Sequence, residues 1–120
     1  MDFIRIAKTS EFEGVSMRSY RILGRHVGVF REPDGRFRAM EVGCRHQNAD
    51  LTQARLRGDV ATCPRHGWQY NMATGECLKG DGQRLRPYHC RVEGENILIS
   101  ALPVRSGETP ETGPAKTPAE

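Results

Sequence analysis

Two short segments decide how this chain of 120 residues is interpreted: Cys-Arg-His at residues 44–46 and Cys-Pro-Arg-His-Gly-Trp at residues 63–68. One residue separates the cysteine from the histidine in the first segment, and two residues separate them in the second. Gaps this short let a tight loop direct two side chains toward a common point. We therefore expect two thiolates and two imidazoles to converge on a metal centre.

The division of these ligands favours two metal centres over one. A structural zinc site of two Cys and two His usually has the cysteines close together, followed by the histidines, whereas here each segment contributes one of each. A zinc-stabilised interaction module is therefore a remote alternative. The candidate ligands are Cys44, His46, Cys63 and His66.

The two segments resemble the Rieske 2Fe-2S family. The shared pattern is Cys-x-His-x-Asn-x-x-Leu at residues 44–51, followed by Cys-Pro-x-His-Gly-Trp-x-Tyr-x-x-x-Thr-Gly at residues 63–75. In a Rieske centre two histidines replace two cysteines on one iron, which raises the reduction potential. The resemblance implies a 2Fe-2S cluster with two cysteines on one iron and two histidines on the other: Cys44 and Cys63, His46 and His66.

The resemblance also implies which neighbours tune or present the cluster. Trp68 stands where respiratory members have a serine, and Tyr70 occupies the position of their hydroxyl-donating tyrosine. Hydrogen-bond donors to cluster sulfur stabilise the added electron. Trp68 supplies no hydroxyl in place of the serine, while Tyr70 keeps one donor, so we expect a potential in the lower half of the Rieske range of about −150 to +300 mV. Arg45 and Arg65 lie inside the ligand segments, where they would attract an acidic partner surface.

Function follows from the branch that the chain resembles. Ala49 and Arg65 replace the cysteines of the respiratory disulfide, which indicates the ferredoxin or oxygenase branch. The resemblance then implies a non-catalytic one-electron carrier that takes electrons from a flavin-dependent reductase and passes them to a terminal oxygenase. The alternative is the small Rieske subunit of an NAD(P)H nitrite reductase, with the large subunit as its partner.

The rest of the sequence predicts an all-β domain. Hairpins are predicted around Asp34-Gly35 and around residues 93–96, and weaker strands over residues 3–7 and 16–23. The resemblance implies an antiparallel β-sandwich base that carries a cluster-binding subdomain of two ligand loops, at about residues 43–82. We also expect one continuous strand over residues 88–92, with Cys90 pointing inward.

The domain is predicted to end at residue 105. Residues 106–120 contain three prolines and two glycines and no residue larger than Lys, so a disordered tail is expected. Cys77 and Cys90, like His26 and His89, match no ligand position and are interpreted as structural.

Composition excludes several classes of function. The net charge of +3 is too small and too scattered for a nucleic-acid binder, although 15 of the 18 basic residues are Arg. No apolar run is long enough for a membrane span, and the first residues lack the pattern of a secretory signal. We therefore expect a cytoplasmic protein, in which cysteines serve as ligands or buried thiols rather than as disulfides.

Overall fold

The computed structural model describes residues 2–44, 50–64 and 67–113, and β-strands make up most of the regular secondary structure in this part of the chain. Two 3₁₀ turns, Thr9–Phe12 and Leu51–Gln53, interrupt them. No helix among the described residues has the length and hydropathy needed to cross a membrane. The strands are β1 (Phe3–Lys8), β2 (Met17–Ile22), β3 (Arg25–Arg31), β4 (Phe37–Glu41), β5 (Arg55–Arg57), β6 (Val60–Thr62), β7 (Gln69–Asn71), β8 (Cys77–Lys79), β9 (Pro87–Tyr88), β10 (Cys90–Glu93) and β11 (Asn96–Ser100).

Two antiparallel sheets form the base of the molecule. One has the strand order β1-β11-β10 and the other β2-β3-β4-β9. Their inner faces share one apolar core because alternate residues of each strand point toward the opposite sheet. This base core consists of Ala7, Phe12, Ile22, Val27, Val29, Phe37, Ala39, Tyr88, Cys90, Ile97 and Ile99. The predicted antiparallel sandwich base is confirmed.

A third antiparallel sheet, with the order β5-β6-β7-β8, carries the segments that the sequence singled out. Its own apolar core is separate from the base core and includes both candidate cysteine ligands. This loop core consists of Phe30, Met40, Val42, Cys44, Leu51, Ala61, Cys63, Tyr70, Met72 and Leu85. The expected division into a base and a smaller subdomain is therefore observed.

Both predicted hairpins are present. Strands β3 and β4 pair antiparallel around Asp34-Gly35, with Val29 opposite Ala39. Gly35 has a φ of 88°, a conformation that a residue with a Cβ adopts only at a cost. Strands β10 and β11 pair around residues 93–96 in the same way.

The strand expected over residues 88–92 is divided, which corrects the sequence-based prediction. Tyr88 pairs with Ala39 in one base sheet, whereas Cys90 pairs with Ile99 in the other. The chain changes sheets at His89, yet the side chains of Tyr88 and Cys90 both reach the base core. The alternation of apolar and polar residues indicated which face is buried, but it did not show that the partner strand changes from β4 to β11. Burial raises the pKa of the Cys90 thiol to about 12, as expected for a structural cysteine.

The structure also differs from the expected disordered tail. Residues 106–113, here called the C-terminal strap, lie against the base: the amide of Cys90 donates to the Glu111 carbonyl over 2.9 Å, and the Gly113 amide to the Phe37 carbonyl over 3.0 Å. The side chain of Glu108 lies 2.6 Å from Nε2 of His89, which is itself buried. These polar contacts order a segment that has few apolar side chains. Residues 114–120 lie outside the described residues.

Candidate metal centre

Backbone contacts join the two ends of the first ligand segment. After β4, Gly43 forms an antiparallel bridge with Asp50, and the Leu51 amide donates to the Val42 carbonyl over 2.8 Å. These contacts join the two ends of the segment that holds Cys44. The cysteine is therefore carried by a loop whose entry and exit are hydrogen-bonded to each other.

The second ligand segment is closed in a similar way between β6 and β7. The Cys63 amide donates to the Trp68 carbonyl over 2.7 Å, and the Gly67 amide donates to the Cys63 carbonyl over 3.0 Å. Gly67 adopts a φ of 73°, in the left-handed region that glycine occupies without a steric cost. The Cys-Pro-x-x-Gly-Trp pattern thus supplies the turn that holds Cys63.

The structure brings the two cysteines into one apolar environment. Cys44 is 1% exposed and Cys63 2% exposed, and both belong to the loop core. All four cysteines of the chain are thiols rather than disulfides. Two buried thiols on hydrogen-bonded loops fit the cysteine side of a Rieske cluster, because thiolates are the ligands that iron-sulfur clusters require.

The remaining predicted ligands fall outside the described residues. These are His46 and His66, together with the two arginines expected to face a partner, Arg45 and Arg65. In residues 2–44, 50–64 and 67–113 no group of three or more His, Cys, Asp or Glu side chains is placed to hold a metal ion. The described part therefore supplies the two thiols of the expected four-ligand set.

Trp68 and Tyr70 follow the second loop into the third sheet. Tyr70 is fully buried in the loop core, opposite Ala61 of β6. Trp68 is partly buried and packs against the same core. The structure thus brings both predicted tuning residues to the core that holds the cysteines.

A third segment, residues 80–82, lies against the second loop. A Cβ on Gly80 would come within 2.7 Å of Cε3 of the Trp68 ring and within 3.2 Å of the Cys77 sulfur. The absence of a side chain at Gly80 is what permits this close approach. Cys77 is partly buried beside the loop core, as a structural residue would be.

Asp50 anchors the exit of the first loop, and sequence analysis missed it. Its carboxylate accepts hydrogen bonds from Ser19 Oγ at 2.6 Å, from Thr52 Oγ1 at 2.6 Å and from the Thr52 amide at 2.9 Å. Burial acts to raise the pKa of Asp50, but these hydrogen bonds, together with a smaller electrostatic contribution from His26, outweigh it and hold the pKa below its ordinary value. An Asp before a Leu-Thr pair is a helix-capping signal that would have predicted the Thr52 contacts, but not the one to Ser19.

Sequence analysis also missed a groove beside the second loop. The groove has a volume of about 710 Å³, and its walls include Cys63, Pro64 and the whole of β5, Arg55–Arg57. All three side chains of β5 are exposed. An Arg-Leu-Arg sequence alone does not show which surface it occupies, so only the pairing of β5 with β6 places it next to Cys63.

Comparison with known proteins agrees with this geometry. The profile of the Rieske [2Fe-2S] domain matches residues 2–93. The ferredoxin component of the alkene monooxygenase system of Xanthobacter autotrophicus is 31% identical over 88 residues, which cover 72% of this chain and 72% of that protein. Matches also extend to longer oxygenase and desaturase proteins, and the chain spans only 23% and 18% of the length of two of them.

Solved structures show the same fold. A chain in the complex of reduced oxygenase and oxidised ferredoxin of carbazole 1,9a-dioxygenase superposes with a TM-score of 0.67 at 24% identity, covering 87% of this chain and 97% of that one. A nitrite reductase NADPH small subunit superposes with a TM-score of 0.58 at 14% identity, covering 83% of this chain and 99% of that one. At these identities the likeness concerns the fold alone.

Proposed function

Since the chain belongs to the Rieske 2Fe-2S domain family, we propose that it is a one-electron carrier whose Rieske-type cluster is bound by Cys44, His46, Cys63 and His66. The observation that supports this most directly is the burial of Cys44 and Cys63 in one core, on two loops closed by backbone hydrogen bonds. A bound 2Fe-2S cluster supplies one electron that can be taken up and released reversibly.

The protein's own residues prepare this site. The two cysteines present thiolates from an apolar core that excludes water, which strengthens every electrostatic interaction there. The hydrogen-bonded loop ends limit how far the ligands can separate when the charge of the site changes. Tyr70, buried in the same core, would donate its hydroxyl to the cluster and favour the reduced state, with Trp68 as the partly buried neighbour.

The partners are proposed from the relatives. The alkene monooxygenase protein is named as a ferredoxin component, and it matches over most of both chains. We propose a flavoprotein reductase as the electron donor and a terminal oxygenase as the acceptor, with Arg45 and Arg65 at the contact. The nitrite reductase alternative is supported by a likeness of fold at 14% identity, and no residue of the described site favours it.

A cytoplasmic location is part of the proposal. Cys77 and Cys90 remain thiols beside the two ligand cysteines. Thiols of this kind persist in reducing compartments, where disulfides are rare.

The test uses the full chain as purified. The wild-type protein should be red-brown, contain iron and sulfide in equal amounts, show the electron paramagnetic resonance signal of a reduced Rieske cluster and titrate with one electron. Cys63→Ser should abolish all of these, whereas Cys77→Ser, at a partly buried cysteine outside the ligand set, should keep them. A colourless protein with stoichiometric zinc would overturn the proposal in favour of a zinc-stabilised module.

A further inference from the structure

The groove beside the second ligand loop has a strongly basic wall. In β5, Arg55 lies opposite Thr62 and Arg57 opposite Val60, so both arginines stand beside the strand that leads into Cys63. Residues two apart on a strand point to the same side, so the two guanidinium groups share one face. Within the described part of the chain, no carboxylate lines this groove.

The two arginines are also available to a partner. Both are exposed, and among the described residues neither forms an ion pair. By contrast, other arginines at the surface are neutralised: Arg86 pairs with Glu41 at 3.2 Å and Arg91 with Glu111 at 2.7 Å. The nearest acidic residue along the chain, Asp59, lines a neighbouring groove that shares Leu56 with this one.

Apolar surface also borders this groove. The exposed Pro64 follows Cys63 in the groove, and Leu56, which is 43% exposed, contributes to its edge from the opposite face of β5. Protein interfaces commonly have an apolar centre surrounded by charged residues, and arginine is enriched in them. A surface of this composition next to a ligand cysteine suits a protein partner better than a small molecule.

We propose that this groove, with Arg55 and Arg57 as its recognition residues, docks an acidic protein surface that presents carboxylates to the two arginines beside a small apolar contact at Pro64. The identification of that partner as a redox protein rests on the proposed function. Docking there would bring the partner next to Cys63, one of the proposed cluster ligands. Charge complementarity would act first on the association rate and on its salt dependence.

The first measurement does not depend on electron transfer. A fluorescein-labelled hexaglutamate peptide is titrated with the cluster-loaded full chain at about 20 mM salt, where screening is weak, and its anisotropy gives the Kd. The double variant Arg55→Gln/Arg57→Gln should weaken binding about fivefold. The control Arg5→Gln/Arg21→Gln removes the same charge from exposed positions on β1 and β2 and should change the Kd less than about twofold.

The second measurement tests the same surface in electron transfer. An NADH-dependent flavoprotein reductase of a Rieske oxygenase system reduces each protein, and the bimolecular rate constant is followed as salt is raised. The groove variant should be about tenfold slower at low salt and should converge with the wild type at high salt, whereas the control variant should follow the wild type.

The outcomes separate the two proposals. If the groove and control variants weakened peptide binding equally, net charge alone would explain the binding and the docking surface would be overturned. The docking surface would also be overturned if the groove variant bound the peptide as tightly as the wild type. If dithionite reduces the wild-type cluster but the reductase does not, the choice of electron donor in the proposed function fails. The peptide titration then still decides whether the groove binds acidic surfaces.

Discussion

Single side chains next to the ligand loops support them in different ways. Tyr70 lies wholly inside the loop core, on the strand that follows the second loop. Asp50 joins the exit of the first loop to Ser19 of β2 through a hydrogen bond of 2.6 Å. We propose that Tyr70 affects the electronic state of the site, whereas Asp50 holds the exit of the first loop in position.

Replacing Tyr70 by Phe should lower the reduction potential, because the hydroxyl that we expect to stabilise the reduced cluster is lost. One hydrogen bond of about 0.5–1.5 kcal/mol corresponds to roughly 20–60 mV for one electron. Redox titration of Tyr70→Phe against the wild type measures the shift. Tyr20→Phe, on β2 in the base, is the control, and an unchanged potential in Tyr70→Phe would show that this hydroxyl does not act on the cluster.

Replacing Asp50 by Asn should destabilise the fold by about 1–2 kcal/mol at pH 7, because the ionised carboxylate accepts three hydrogen bonds. The pKa of Asp50 is lowered in the folded state, so this stabilisation is complete above the unfolded pKa of about 4 and is lost as the pH falls through the lower folded pKa.

Urea unfolding at a series of pH values measures this difference. The gap between wild type and Asp50→Asn should narrow below about pH 4, whereas the exposed control Asp59→Asn should show little gap at any pH. A gap for Asp50→Asn that stays constant through the acid range would contradict the role of the ionised carboxylate.

Whole elements position the site through close backbone approaches. The segment at residues 80–82 can lie on the Trp68 ring only because Gly80 has no side chain. The third sheet, Cys44, Cys63 and this segment therefore pack together around the loop core. Its packing can be disturbed at a single glycine.

Gly80→Ala should displace Trp68, because its Cβ would lie 2.7–2.8 Å from ring carbons. Trp68 is the chain's single tryptophan, so the tryptophan fluorescence and the tryptophan bands of the near-ultraviolet circular dichroism spectrum both come from this ring. Gly82→Ala is the matched control. The backbone at Gly82 also has a positive φ, of 80°, but no atom would lie within 4 Å of the added Cβ. Equal tryptophan signals in the two variants would argue against the contact.

The molecule as a whole is closed by the C-terminal strap. It joins Phe37 of one base sheet to His89 and Cys90, where the chain crosses to the other sheet. The Glu111 amide donates to Nδ1 of His89 over 2.9 Å, so the hydrogen on His89 lies on Nε2, facing Glu108. The strap thus satisfies both ring nitrogens of a buried histidine.

Removing residues 106–120 should lower the Tm by about 5 °C or more, because about 1 kcal/mol shifts the Tm of a domain of this size by roughly that amount. His89→Ala should cost clearly more stability in the full chain than in the shortened one, since its strap partners are absent from the latter. Thermal unfolding of the four proteins measures this. Strictly additive effects would mean that the strap and His89 do not interact.

The sequence by itself determined what depends on local pattern. The spacing of Cys44, Cys63 and the two histidines indicated the metal chemistry, and turn residues such as Asp34-Gly35 located the hairpins. Alternation placed Cys90 inside the base core. The hairpin and Cys90 predictions are confirmed because they rest on residues a few positions apart, whose geometry is set by backbone dihedral angles, whereas the four-ligand assignment stays a prediction.

Only the tertiary structure decided the contacts between distant residues. Asp50 meets Ser19 across 31 positions of the chain, His89 joins the strap, and Arg55 and Arg57 stand beside Cys63 because β5 pairs with β6. None of these contacts follows from periodicity, since each depends on which strand lies beside which. The strap shows the reason most clearly: its composition offers little apolar surface to bury, and it is held by polar partners that only the folded base brings together.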